Sequence, residues 1–464
     1  MNTHAFVAAT IFLVSWGLTT HGKYSVTGDE PHYLLIAESL RSDGDLDLDN
    51  NYARGDAARF GAAGLEPELH ARRSRTGQLI SVHDLGVPVV LLPAYVVATS
   101  AAKLPTETLL TRFHMNRGLF AYSLLSLVII AIVTWAAVVT CGALEDQGMS
   151  RRMAAGMVLV AWLTVPVLSN SFVVFPEPFA LLAAAGAVAL WASRSPRWRW
   201  KDSAAVLVLG CLPWFHKKFL LFGIGLLLVA LWRRRDSLKS LSHTQKAAVG
   251  ALFAIPPLAL GLWTMYVWGN LTGGQTLERL PFSWSAFGHG IVGLFLDRES
   301  GLVWWAPVYA LLPAAWWLRR DLAVWLIPVV ALVIPCAAHD LWWGGFSPAG
   351  RFLVPLVPLF CLAAVALVNV PTARYAAVML LIPQILIAAY GWQHPRALWP
   401  QGDGTNRVLA ALLQPIGQPD RWLPSFRTDP QGAWTPAAAL IALLAALNAT
   451  MILASRTAPL ERRG

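Results

Sequence analysis

Long apolar runs separated by short charged turns organise this chain. The runs lie near 4–20, 116–140, 153–169, 178–193, 203–214, 219–232, 247–268, 302–318, 322–338, 352–370, 375–391 and 434–454, and are almost free of Asp, Glu, Lys and Arg. Most approach the roughly 20 residues that a helix needs to cross about 30 Å of hydrocarbon. The pattern therefore predicts an all-α polytopic membrane protein, a bundle of twelve transmembrane helices. The first run starts with the polar MNTH and lacks a small-residue cleavage site, so it reads as a retained helix. A further apolar stretch, Val87 to Ala101, reads as a helix lying in the outer interface, with a spanning helix as the alternative.

Charge orients the bundle. With a cytoplasmic N-terminus, the segments 141–152, 194–202, 233–246, 319–321, 371–374 and 455–464 face inside and hold 17 of the 36 Lys and Arg. That is about one residue in three, against 19 in roughly 200 residues outside, the asymmetry of the positive-inside rule. Both termini are then cytoplasmic. If Val87 to Ala101 spanned, the bias would reverse. The outer side carries a long first loop (21–115), shorter ones at 270–301 and 339–351, and a last loop at 392–433, all within one transmembrane domain, 1–464. No soluble domain stands apart from it, so function is expected in a cavity formed by these loops and the outer helix ends.

Composition agrees: 56% of residues are hydrophobic, 13% are charged, and 22 are tryptophan, many of them at outer helix ends where amphipathic rings sit. The four cysteines lie in or beside apolar runs with no CxxC pair, which predicts neither a disulfide framework nor a zinc site. A net charge of +10 is accounted for by topology; no basic stripe interleaved with aromatics points to nucleic acid.

The candidate chemistry begins with Asp29 and Glu30 in TGDEPHY, directly after the first apolar run. An acid pair kept at a lipid boundary is costly and reads as functional. His216, Lys217 and Lys218 interrupt two short apolar runs in CLPWFHKKFLLFG, and Arg351 follows three glycines in WWGGFSPAGR, where a guanidinium could grip phosphate through two N–H groups. Glu177 lies between Pro176 and Pro178, which suggests a kinked, extended turn outside a helix. His83 of SVHDLGVP, and His339 with Asp340, could hydrogen-bond sugar hydroxyls, while Asp84 reads as the N-cap of the helix that follows. DGDLDLDNNY has a calcium-loop flavour but lacks the sixth-position glycine and twelfth-position glutamate, and reads as a solvated turn.

TGDEPHYLLIAESL after the first helix, SVHDLGVP and FSPAGRFLVPLVP together resemble the GT-C class of integral-membrane glycosyltransferases, which includes the protein O-mannosyltransferases and the lipid A aminoarabinose transferase. The resemblance implies transfer of a hexose or pentose from a polyprenyl-phosphate carrier to a lipid, glycan or protein acceptor, at the outer face of a bacterial inner membrane. It carries the first-loop acid onto Asp29 as catalytic base, with Glu30 beside it. The donor phosphate would fall to His216, Lys217, Lys218 and Arg351, and the acceptor or sugar to Glu177, His83, His339 and Asp340. Enzymes of this class differ in their need for a divalent metal, and neither metal nor cofactor is inferred. A secondary transporter and a lipid-linked glycan polymerase or ligase are the alternatives.

Overall fold

Each of the twelve apolar runs is helical over most of its length. The computed structural model describes residues 2–20, 26–193, 197–274, 284–368 and 370–457. Parts of the charge argument, 194–196 and 458–464, lie outside the described residues, as do 21–25 of the first loop and 275–283 of the loop at 270–301. Among the described residues, five helices are long and apolar enough to cross a membrane: Arg117–Asp146, His243–Trp268, Arg320–Ala337, Pro371–Gln393 and Trp434–Ser455. Others are shorter because proline interrupts them. The run at 153–169 stops at Trp162, ahead of Pro166, and the run at 302–318 is broken before Pro307, since proline lacks the N–H that would continue the ladder. One apolar helix, Trp284–Leu296, falls within a stretch assigned to an outer loop; its 13 residues were too few to stand out as a span.

The elements that build the site are few. Helix α1 (Thr3–Thr20) leads into α2 (Glu30–Ser42), whose residues from Glu30 to Ser39 are all buried, so this first-loop helix is packed on every side. A two-stranded antiparallel hairpin follows, β1 (Ala71–Arg73) with β2 (Leu79–Ser81), in the register Ala71 to Ser81. Helix α3 (Gly86–Ala101) turns Val87, Leu91, Tyr95 and Ala98 inward at helical spacing and leaves Val89, Val90, Val96 and Val97 exposed. Its inner face lies on α2 and on α4 (Arg117–Asp146).

Helix α4 packs on α1 and on α5 (Glu177–Trp191), within one core. A second core gathers α5 with α7 (Phe219–Arg233) and α9 (Leu326–Ala337). Helix α6 (Trp200–Phe215), which adds Leu209 and Leu212 to that second core, pairs with α8 (His243–Trp268), whose outer face exposes Leu258, Leu262 and Tyr266. Lengthwise rows of exposed apolar side chains suit a lipid surround and not water.

The acidic turn at 43–52 is spent on structure. Asp43 accepts from Asn51 and Arg54, and Asp47 accepts the Leu79 N–H at 3.0 Å, tying the turn to the hairpin. The start of α3 meets α6 through Gly86, where a Cβ would come within 2.7 Å of the Trp214 carbonyl and the Phe215 nitrogen. Gly86→Ala is expected to force this contact apart and cost about 1–3 kcal/mol. A thermal midpoint in detergent equal to that of the unchanged protein would show that the approach is not needed.

Candidate active site

Burying an arginine requires negative partners, and the site is built around this need. Arg351, 5% exposed, opens a 3-10 turn, Arg351–Leu356, held against the start of α5. Its Nε donates to Glu177 Oε1 at 2.9 Å and its Nη2 to Asp29 Oδ2 at 3.0 Å, while its guanidinium lies 3.8 Å above the Phe175 ring. Lys218 adds a second cation, its Nζ 2.5 Å from the same Glu177 oxygen and 4.1 Å from the Phe352 ring. Two carboxylates and two cations thus form a charge-balanced cluster. Glu177 Oε2 is buried with no hydrogen-bond partner, so ion pairing rather than full hydrogen bonding offsets the desolvation of this carboxylate.

The cluster opens into a cavity of about 460 Å³ lined by Asp29, His70, His83, His216, Lys218, His339, Asp340 and Arg351. Seven of the residues singled out from the sequence therefore meet in one space although they come from five separated stretches. Local chemistry explains each placement. Asp29 stands at the N-cap of α2 without capping it, because its carboxylate is turned to Arg351. His216 ends α6, and its Nδ1 accepts the Lys218 N–H at 3.2 Å, which turns the chain sharply into α7. Gly344, Gly345 and Gly350 all adopt positive φ, so the chain coils tightly ahead of Arg351. Gly28, also at positive φ, leaves only 2.7 Å between a hypothetical Cβ and the Phe346 carbonyl, so the first loop sits directly on this coil.

Four expectations change. Glu177 is not in an extended turn; it occupies the first turn of α5, where Pro178 also fits because the first helical N–H groups need no partner. It lies beneath the cavity, clasping Arg351 and Lys218, and is not open to a ligand. Glu30 is fully buried away from the cavity and accepts from Thr27 N, Tyr122 Oη and Val174 N at 3.1, 2.9 and 2.7 Å. Lys217 also points elsewhere: its Nζ donates to the Thr272 carbonyl at 3.2 Å and lies 3.4 Å from Asp84. Asp84 does not cap α3, whose N-cap is Leu85; it accepts the Lys217 N–H instead.

Electrostatics separate the adjacent acids. Burial disfavours charge on Asp29, but Arg351, His83 and His70 outweigh it and hold this carboxyl well below the usual carboxylate range. For Glu30, burial dominates over its three donors and pushes it up to about 7. Burial also pushes His83 down to about 4, so its imidazole is neutral at neutral pH.

The site includes a residue that the sequence reading passed over. His70 precedes β1, and its carbonyl accepts the Val82 N–H at 2.9 Å, so the hairpin register sets it beside His83. The one available signal was the turn around Gly77, flanked by two short stretches that could pair. The three side chains of Asp29, His70 and His83 are close enough to share a metal ion.

Comparison with protein-family models, curated proteins and solved structures finds no match for this chain.

Removing the shared acid leaves two buried cations facing each other. Glu177→Ala is expected to destabilise the protein by about 3–5 kcal/mol, the usual penalty for an uncompensated buried charge. The same loss of thermal midpoint from Glu177→Ala and from a conservative exposed change, such as Glu107→Ala, would show that the cluster carries no special weight.

Proposed function

We propose that this protein is a multi-pass membrane glycosyltransferase of the GT-C kind, moving a sugar from a polyprenyl-phosphate donor to a hydroxyl acceptor at the outer face of a bacterial inner membrane. The observation that carries the reading is the convergence of Asp29 with Lys218, Arg351 and His216 around one polar cavity. A phosphate leaving group needs fixed cations, and an acceptor hydroxyl needs a proton acceptor. Five helices able to span a membrane support the lipid setting. The charged groups sit at element ends, before α2, at the start of α5, between α6 and α7 and at the head of the 3-10 turn, whereas ion relays of a transporter belong near helix midpoints.

In this reading the acceptor oxygen bonds to the anomeric carbon as the bond from that carbon to the phosphate oxygen breaks. Asp29 takes the acceptor proton, and the electron pair leaves on the lipid phosphate. Paired with Arg351, Asp29 is a weak base. A donor phosphate that draws the guanidinium to itself relieves that pairing and raises the basicity of Asp29 where the acceptor binds. Lys218 and His216 hold the phosphate from the other side, and His83, His339 and Asp340 face the sugar. Glu177 orients both cations. Lys217 and Glu30 have no part in the reaction.

Asp29→Asn should lower transfer of labelled sugar from carrier lipid by roughly 10²- to 10⁴-fold, because the amide cannot accept the proton. Turnover near that of the unchanged protein removes Asp29 from the mechanism.

The two neighbouring lysines offer an internal contrast. Lys218→Ala should slow transfer by about 10²- to 10³-fold, while Lys217→Ala leaves it near the original rate. Equal losses in the two variants would count against the phosphate clamp.

A further inference from the structure

We propose that Asp29, His70 and His83 form a binding site for a divalent transition-metal ion of the zinc type, open to the cavity on one side. Each residue offers one ligand atom, and the three atoms lie within 4.8 Å of one another. His70 Nδ1 and His83 Nε2 are 2.9 Å apart. Two nitrogens bound tetrahedrally to a cation, each at about 2.1 Å, stand about 3.4 Å from each other, so the rings need to part by only about half an ångström to become neighbouring ligands. In the metal-free protein one ring must donate its N–H to the other; with a cation bound, both lone pairs point to it and the donating ring carries its proton on its other nitrogen instead.

The ligands are held from behind, as metal ligands are. The His70 ring stacks on His32 at a centroid distance of 3.9 Å, and His32 Nδ1 is fixed by the Tyr52 hydroxyl at 3.0 Å. The hairpin secures both histidine backbones: Ser81 Oγ donates to the His70 carbonyl and accepts the His83 N–H, each at 3.2 Å. Arg351 holds one oxygen of Asp29. Three protein ligands with a lined cavity beside them leave room for an exchangeable fourth, the pattern of catalytic rather than structural zinc sites. Two imidazoles and one carboxylate favour zinc over magnesium or calcium, which prefer all-oxygen shells. Asp29 and Glu177 balance Arg351 and Lys218, so the ion adds two positive charges to a neutral cluster and selects an anionic oxygen ligand.

A second trio, His4, Cys141 and Glu145, has similar spacing, but it joins α1 to α4 through the 2.8 Å contact of His4 with Glu145 and serves as the control. The metal site shares Asp29 and His83 with the transferase reading but is tested apart from it, since binding is measured without any substrate. Full-length protein in detergent is stripped with chelator, dialysed and titrated with zinc chloride by calorimetry. One equivalent should bind; His70→Ala and His83→Ala should each weaken it by more than the ~10- to 100-fold that loss of an outer-shell partner costs, and His4→Ala should leave it unchanged. Absence of binding, or affinity in the His70 and His83 variants equal to that of the unchanged protein, overturns the site. Should those variants not purify as monodisperse species, cobalt added to the unchanged protein decides. Visible bands of histidine-ligated cobalt support the site, and the spectrum of the aquo ion alone overturns it. Failure here leaves sugar transfer untouched, and failure of sugar transfer leaves zinc binding untouched.

Discussion

The guanidinium of Arg351 is the constraint on which the cavity end of this molecule depends. A charge taken out of water must find opposite charge and hydrogen-bond acceptors close by, and here those acceptors come from two distant parts of the chain: Asp29 lies 322 residues away and Glu177 lies 174 residues away. Satisfying one side chain therefore brings the loop after α1, the head of α5 and the glycine-rich coil before Arg351 to a single point. Gly28 pressed on the Phe346 carbonyl, and Phe175 under the guanidinium, are the packing that this closure demands.

The same closure gives the cavity its character. Because Glu177 bridges Arg351 and Lys218 and Asp29 supplies the second negative charge, the cations face the cavity without the repulsion that two bare charges would feel. An anion entering from the open side meets donors positioned in advance, and reorganisation costs little. Asp29 is tied to the same arginine, so the proton affinity of the acid and the occupancy of the cation site are linked through one guanidinium. Any ligand that competes for Arg351 changes the proton affinity of Asp29.

Much was legible in the residues alone. The apolar runs specify helices because an uninterrupted backbone in hydrocarbon must pair its own N–H and C=O groups, and every such run is helical in the structure. Charged residues that interrupt those runs are conspicuous for the same reason, which is why Asp29, Lys218 and Arg351 stood out. What the residues could not reveal was direction. Lys217 and Lys218 are chemically alike and adjacent, yet the turn after α6 sends one to Asp84 and Thr272 and the other to Glu177, a choice made by backbone dihedrals at His216 and by partners distant in sequence.

Asp29 and Glu30 divide in the same way: one faces the cavity, the other accepts three hydrogen bonds inside the core, since successive residues at a helix start point about 100° apart. His70 was invisible for a related reason. Apart from the turn at Gly77 nothing near it in sequence marks it, and only the register of β1 against β2 sets it beside His83. Local composition thus determined the helices and the inventory of charges, because hydrogen-bonding and solvation act residue by residue. Tertiary structure alone decided which charges meet, because that depends on long-range packing and on pairing between residues that the chain keeps far apart.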